Sequence, residues 1–355
     1  MSGWPLTGCA LKWRASVQPD FRVFHSLEQV RGRFGPAAVA IGNFDGVHRG
    51  HQAVLRRCVE TAVRSGWKAS ALTFDPHPAK VLTPARAPRL LSSVEERCRW
   101  MRQCGIGQVL VLPFTHEFSL STPEQFVSEV LAQCLEARAV FVGENFHFGR
   151  GKAGNAAVLA ALGLTYGFTA ELAPPVTLRG RLISSSEIRR LIEEGKVGHA
   201  SRLLGRPYSL QGDVVRGRGV GRRETVPTLN LATPAEVLPA LGVYVSRTAD
   251  LGAGQIWESV TNVGVRPTFG AEDHVTVESF LLESPEERPR GIRVDFLKRL
   301  RGEHRFADAS ALRAQILKDV ARAQAFHRRL KRWVGDDDGV DMLLSRSAAT
   351  SEFDI

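Results

Sequence analysis

The residues most suited to chemistry stand in Ile41-Gly42-Asn43-Phe44-Asp45-Gly46-Val47-His48-Arg49-Gly50-His51. This string follows an apolar run and opens an amphipathic one, which is the pattern of a loop between a buried strand and a helix. Its glycines, Gly42 and Gly50 among them, allow tight turning and close approach of backbone to a ligand. The start of a helix offers N–H groups and the positive end of a dipole, a ready site for an anion. His48 and His51 stand three apart beside that start, placed to donate hydrogen bonds to phosphate oxygens. Bare HxxH spacing fits a metal pair, for which no third ligand stands nearby in sequence, or two surface imidazoles; the strand–glycine–helix setting selects the anion.

Further along, Ser184, Ser185 and Arg189 surround a second helix start. Read alone, Ser185 and Ser186 suit the cap of that helix and Arg189 a solvated helix charge. A third cluster is Gly212 to Arg222, rich in Gly and Arg and including Gly217 and Gly219. Such a loop wraps phosphates with backbone N–H groups or simply turns a hairpin. Pro227-Thr228-Leu229-Asn230 supplies a hydroxyl and an amide oxygen just before a strand. Glu278 lies on a strand whose alternation puts it on one face with Thr276 and Phe280.

The elements that must position these groups fall into two grammars. From residue 37 to 190, strand candidates Ala37–Ile41, Lys68–Phe74, Gln108–Pro113, Arg138–Gly143 and Thr169–Ala173 alternate with helical patterns at His51–Arg64, Val94–Gln103, Pro123–Leu135 and Asn155–Leu162. That alternation predicts an α/β domain with a parallel sheet, helices on both faces and a ligand at the carboxyl ends of the strands. After residue 205, short strands succeed one another: Tyr208–Val215, Thr228–Leu231, Gly242–Thr248, Trp257–Gly264, Val275–Leu282 and Arg293–Leu297, before one long helical pattern at Ala311–Trp333. This predicts a small antiparallel β-barrel with a C-terminal helix. The expected organisation is an extension at 1–20, a first domain at 21–190, a helical linker at 191–204, a second domain at 205–334 and an acidic, disordered tail at 335–355.

Composition bounds the rest. The chain has 355 residues, 43% hydrophobic and 24% charged, which is globular usage and excludes a mainly disordered protein. No apolar stretch approaches ~18 residues, so no membrane partner is expected. The net charge of +10 favours ligands rich in phosphate. Aromatic interleaving is sparse and no nucleic-acid recognition motif occurs, so no nucleic-acid partner is expected. Five cysteines without a CxxC pair, and no secretory apolar core near the start, point to a reducing, cytoplasmic setting.

His48-Arg49-Gly50-His51 after Gly42-Asn43-Phe44-Asp45-Gly46 resembles the HxGH nucleotidyltransferases. The longer pattern resembles the prokaryotic bifunctional riboflavin kinase/FMN adenylyltransferases, or FAD synthetases. It continues through Leu72-Thr73-Phe74-Asp75-Pro76-His77-Pro78, Phe141 to Gly149 and Ile183 to Arg189. In the second half, Pro227-Thr228-Leu229-Asn230 resembles a Pro-Thr-Ala-Asn motif, and Asn262 to Gly270, Thr276 to Glu278, Phe296 to Phe306 and Leu312 to Asp319 follow in family order.

The resemblance implies two reactions. ATP phosphorylates riboflavin to FMN in the second domain, and FMN then displaces pyrophosphate from ATP in the first, giving FAD. For adenylyl transfer it implies that His48 and His51 hold ATP phosphates and developing charge. Gly42, Phe44, Gly50, Ser184, Ser185 and Arg189 complete the ATP site, and Asp75, Asn145 and His147 contact flavin or phosphate. Asp75 fits a Mg²⁺ partner or an Asx turn as well. Asn145 and His147 stand where many relatives carry Asp and Arg. For the kinase it implies Gly217 and Gly219 around ATP, Thr228 and Asn230 as ATP contacts and Mg²⁺ ligands, Glu278 as general base and Arg266 near the flavin. Thr225-Val226 and Leu229 depart from the family pattern, so an adenylyltransferase with a weak kinase is the alternative expectation.

Overall fold

The structure is a computed structural model, described here for residues 20–215, 228–266, 274–304 and 306–334. The expected extension (but for Asp20), the expected tail, and Gly217 and Gly219 lie outside the described residues. The chain divides into two compact units that meet in sequence at Ser185 and Ser186.

The first unit is built on six strands: β1 (Arg22–Phe24), β2 (Ala37–Ile41), β3 (Lys68–Asp75), β4 (Gln108–Pro113), β5 (Ala137–Gly143) and β6 (Thr169–Ala173). They pair in the order β1-β4-β3-β2-β5-β6, every pair parallel. β2 is buried along its whole length, as a central strand covered on both faces must be. Alternation divides its residues between two cores. Val39 and Ile41 join Leu72, Leu110 and Val140 on one face, while Ala38 and Ala40 join Ala71, Val109 and Ala139 on the other. The second face is rich in alanine, which lets helix Arg49–Ser65 lie close through Leu55, Cys58 and Val59. The chain runs outward from β2 to β3 to β4 and then returns to β5 on the other side of β2. That reversal makes the carboxyl ends of β2 and β5 the topological switch point.

Three local features differ from the sequence pattern. β1 adds an edge strand paired with β4; its three residues are too short to show a period. The Pro123–Leu135 pattern begins with a capping box at Thr122 and Gln125, then widens into a π-helix over Phe126–Cys134. A two-strand hairpin, β7 (Thr177–Leu178) and β8 (Arg181–Leu182), precedes helix Ser185–Glu193.

The second unit is a closed barrel of β9 (Tyr208–Val215), β10 (Thr228–Ala232), β11 (Gly242–Asp250), β12 (Ile256–Arg266), β13 (His274–Leu281) and β14 (Gly291–Arg301), paired antiparallel in the order β10-β13-β12-β11-β14-β9. Closure removes the exposed edges an open sheet would have. Helix Ser185–Glu193 from Ser186 onward and helix Val197–Leu204 belong to this unit, and the second packs on β9 and β14. Helix Ala309–Val334 covers the outer faces of β11 and β12, where Ala323 meets Val243, Val245 and Val260. The barrel interior carries a cluster of fully buried hydroxyls, Ser246, Thr248, Ser259, Thr261 and Ser279, bonded to one another at 2.6 to 3.3 Å. Among the described residues no helix is long and apolar enough to cross a membrane.

Candidate active sites

At the end of β2 the chain enters the loop that carries His48. Phe44 and Val47 adopt positive φ of 49° and 36°, which non-glycine residues rarely do, and Gly46 lies at 76°. The strain is held by buried bonds. The Asp45 carboxylate, 3% exposed, accepts from Leu91 N at 2.9 Å and from Ser92 Oγ at 3.2 Å, while Gly46 N donates to Ser92 Oγ. The Asp45 carbonyl accepts from Ser185 Oγ at 3.0 Å, which ties the segment after β8 to this loop.

His48 is the N-cap of helix Arg49–Ser65 and is 5% exposed. Its Nδ1 accepts from His51 N at 3.3 Å, so the neutral ring carries its proton on Nε2. The two imidazoles stack at 3.6 Å between centroids and 15° between planes, and Phe44 meets His51 edge-on at 5.4 Å. Gly42 and Gly50 serve close approach rather than unusual dihedrals. A Cβ on Gly42 would stand 3.3 Å from the Phe44 ring, and one on Gly50 would stand 3.1 Å from the His48 ring. The loop therefore brings Gly42, Phe44, His48, Gly50, His51 and Ser185 together. Ser184 precedes Ser185 at the helix start, and Arg189 lies one turn further, counted with the second unit.

The flavin candidates lie on neighbouring strand ends. Asp75 is exposed where β3 ends, and Asn145 and His147 are exposed in the loop after β5, where His147 Nδ1 meets the Asn145 carbonyl at 3.2 Å. Sequence reasoning left His77 without a role. Its Nε2 stands 3.1 Å from Asn43 Nδ2, and its Nδ1 accepts from Ala79 N, which bridges the loops after β2 and β3. Cys58 and Cys98 are packing groups: burial pushes Cys58 up to about 12 and Cys98 up to about 11.

In the barrel, register assembles the site. Asn230 pairs with Glu278, Glu278 with Asn262, Asn262 with Val243 and Val243 with Arg301, one row across five strands. Directly opposed residues share a face, so these side chains line the same outer wall. Thr228 pairs with Phe280 in the next row on that face. The intervening residues point inward: Val277 and Ser279 are fully buried, and so is Leu229, which pairs with Ser279. The Leu229 departure from the family pattern therefore packs inside the barrel, away from the wall that holds Thr228 and Asn230.

A cavity of about 290 Å³ lies against this wall, with Glu278, Asn262, Phe280, Arg301, Glu303 and Phe306 among its lining residues and Leu312, Ile316 and Asp319 of the closing helix facing them. Asp319, 2% exposed, accepts from Arg301 Nε at 2.9 Å and from Gln315 Nε2 at 3.0 Å, and Arg301 lies 5.6 Å from the centre of the Phe306 ring. A Cβ on Gly264 would stand 2.6 Å from Glu303 Oε1 and 2.9 Å from Asn262 Nδ2. Asn262, Arg301, Glu303 and Asp319 carried no role in the sequence reading. Alternation along β12 and β13 gives the face of each residue, and the pairing register sets Asn262 beside Glu278. Arg266 ends β12, and its side chain lies outside the described part.

Comparison with known proteins matches each unit in turn. The family model described as FAD synthetase matches residues 32–187, and that described as riboflavin kinase matches residues 204–327. The bifunctional riboflavin kinase/FMN adenylyltransferase of Pseudomonas fluorescens is 35% identical over 305 residues, which is 86% of this chain and 97% of that protein. Its counterpart from Escherichia coli strain K12 is 33% identical over 306 residues, 86% of this chain and 96% of that protein. A crystal structure described as a macrolide-efflux protein from Streptococcus pneumoniae superposes with a TM-score of 0.76 at 26% identity, covering 85% of this chain and 98% of that one. With the histidine loop at the switch point of one unit and the Asn230–Glu278 row on the wall of the other, the chain belongs to the bifunctional riboflavin kinase/FMN adenylyltransferase family.

Proposed function

We propose that the two sites act in sequence on one flavin, with the residues divided as follows. In the second unit Glu278 accepts the proton of the riboflavin 5′-hydroxyl as that oxygen attacks the γ-phosphorus of ATP. Asn230, directly opposite on β10, and Thr228 offer an amide oxygen and a hydroxyl on the same wall. Those are hard oxygen donors, and they fit Mg²⁺ when ATP phosphates and water complete its shell. Bound there, Mg²⁺ would neutralise phosphate charge. Gly217 and Gly219 are assigned to the ATP phosphates and Arg266 to the flavin.

In the first unit the phosphate of FMN attacks the α-phosphorus of ATP and pyrophosphate leaves. The chain forms no covalent bond to substrate in this step, so its work is positioning and charge stabilisation. His48 and His51 donate to the triphosphate at the helix start, with Ser184, Ser185 and Arg189 taking further phosphate oxygens. Gly42, Phe44 and Gly50 admit the nucleotide. Asp75, Asn145 and His147, at the ends of β3 and β5, are assigned to the flavin. The free thiols Cys58, Cys98 and Cys134 and the phosphorylated substrates fit a cytoplasmic enzyme.

The observation that carries the kinase reading is the direct pairing of Asn230 with Glu278. The test is product chromatography with riboflavin or FMN as sole flavin. Wild type makes FMN and FAD from riboflavin. His51→Ala should accumulate FMN and make no FAD, while Glu278→Gln should make FAD from FMN and nothing from riboflavin. Loss of both activities in either folded variant would overturn the division.

A further inference from the structure

Helix Val94–Gln103 contributes nothing to the sites above, yet it sends one cation beneath the first of them. Arg97 is 2% exposed, among the largest fully buried side chains of the described residues. Its Nη1 lies 2.9 Å from the Asn43 carbonyl, 3.1 Å from Thr73 Oγ1 and 3.3 Å from the Phe74 carbonyl. Asn43 is the second residue of the loop that follows β2, and Phe74 is the penultimate residue of β3. Thr73 Oγ1 itself donates to the Asn43 carbonyl at 3.2 Å, so the same oxygen is gripped twice.

Burying a guanidinium is costly unless something compensates. Here compensation is partial: Nε and Nη2 of Arg97 are buried with no hydrogen-bond partner. Burial lowers its pKa, and the charges of Asp45 and Asp75 oppose that drop. A leucine would fill the space more cheaply, so the retained cation calls for a role beyond packing. The acceptors indicate the role. One nitrogen joins the carboxyl ends of two adjacent parallel strands, and each end delivers part of the site: His48 and His51 from β2, Asp75 and His77 from β3.

We infer that Arg97 is a positioning residue for adenylyl transfer, fixing the separation between the histidine loop and the Asp75–His77 turn. The inference rests on the assignment of that loop to FAD formation. A spacing error is felt where two bound reactants must meet in line, so it lowers kcat more than it raises KM.

The test uses the full chain with FMN and ATP, and riboflavin phosphorylation serves as an internal reference. Arg97→Met should lower kcat for FAD formation by roughly 100-fold with KM for both substrates within about threefold, since misplacement of order 1 Å costs about that much. Arg97→Lys, which still donates to the carbonyls, should recover to within about fivefold of wild type. Thr73→Val leaves Arg97 in place but removes the second grip on Asn43, and should lower kcat by about fivefold in a chain that still folds. Should Arg97→Met unfold the first unit, Thr73→Val decides. Wild-type kcat in a folded Arg97→Met or in Thr73→Val, or a lysine variant as slow as the methionine one, would overturn the inference. His51→Ala run alongside separates the two failures: an active His51→Ala removes the underlying site assignment, whereas an inactive His51→Ala beside a fully active Arg97→Met removes only the role of Arg97.

Discussion

The two units answer one problem, gripping a triphosphate beside a flavin, with opposite materials. In the first unit the site is a loop: ten residues from Gly42 to His51, held in strained dihedrals by Asp45, Ser92 and Ser185. In the second it is a wall: Asn230, Glu278, Asn262 and Arg301 come from four different strands and meet only through register. A loop site depends on small residues and on what anchors its backbone. A wall site depends on individual side chains and on the pairing beneath them.

That contrast predicts different sensitivities. The largest effect belongs to the wall: Glu278→Gln should lower kcat for riboflavin phosphorylation by ~10²–10⁴-fold, the range for loss of a general base, with FMN adenylylation unchanged. A comparable loss from Glu278→Gln in FAD formation would erase the distinction between the units. Next, Asp319→Leu strips the anion from the mostly buried Arg301 and should destabilise the barrel by about 3 kcal/mol, read as a lowered urea midpoint. Third come the matched glycine tests. Gly50→Ala crowds the His48 ring and should slow FAD formation alone by about tenfold. Gly264→Ala intrudes on Glu303 and Asn262 and should slow phosphorylation alone by a similar ~10-fold.

The smallest effect concerns pH. Burial holds the His327 imidazole below its ordinary value, against the pull of Glu258, while Arg247 and Lys331 add to the lowering. Because the unfolded chain then binds the proton more readily, barrel stability should fall as pH drops below about 6.5. His327→Phe should flatten that slope between pH 7 and 5, measured by urea unfolding; an unchanged slope would assign the loss to other groups.

The same contrast explains what could be read from the sequence. The loop was legible because its chemistry is contiguous: glycine spacing and two histidines directly follow an apolar strand. β2 and helix Val94–Gln103 have the bounds their patterns imply. The wall was legible only where a family motif named a residue. Asn262 and Glu303 are ordinary polar residues until β12 is paired with β13, and no local pattern fixes which residue faces which. The tie from Arg97 to Asn43 spans 54 positions, and a single arginine in an amphipathic helix looks like any solvated one. The π-helix at Phe126–Cys134 keeps the apolar spacing of an α-helix closely enough to be taken for one.

The hydroxyl cluster inside the barrel has a consequence for how its strands find their partners. A one-residue slip of β13 would turn Ser279 out of the hydroxyl cluster and Glu278 into the lumen. Burial of the Glu278 carboxylate already penalises that slip, and the displaced hydroxyl adds to the penalty. Lining one side with mutually bonded hydroxyls makes every misaligned barrel leave polar groups stranded, so proofreading of alignment is built into the sheet that presents Glu278.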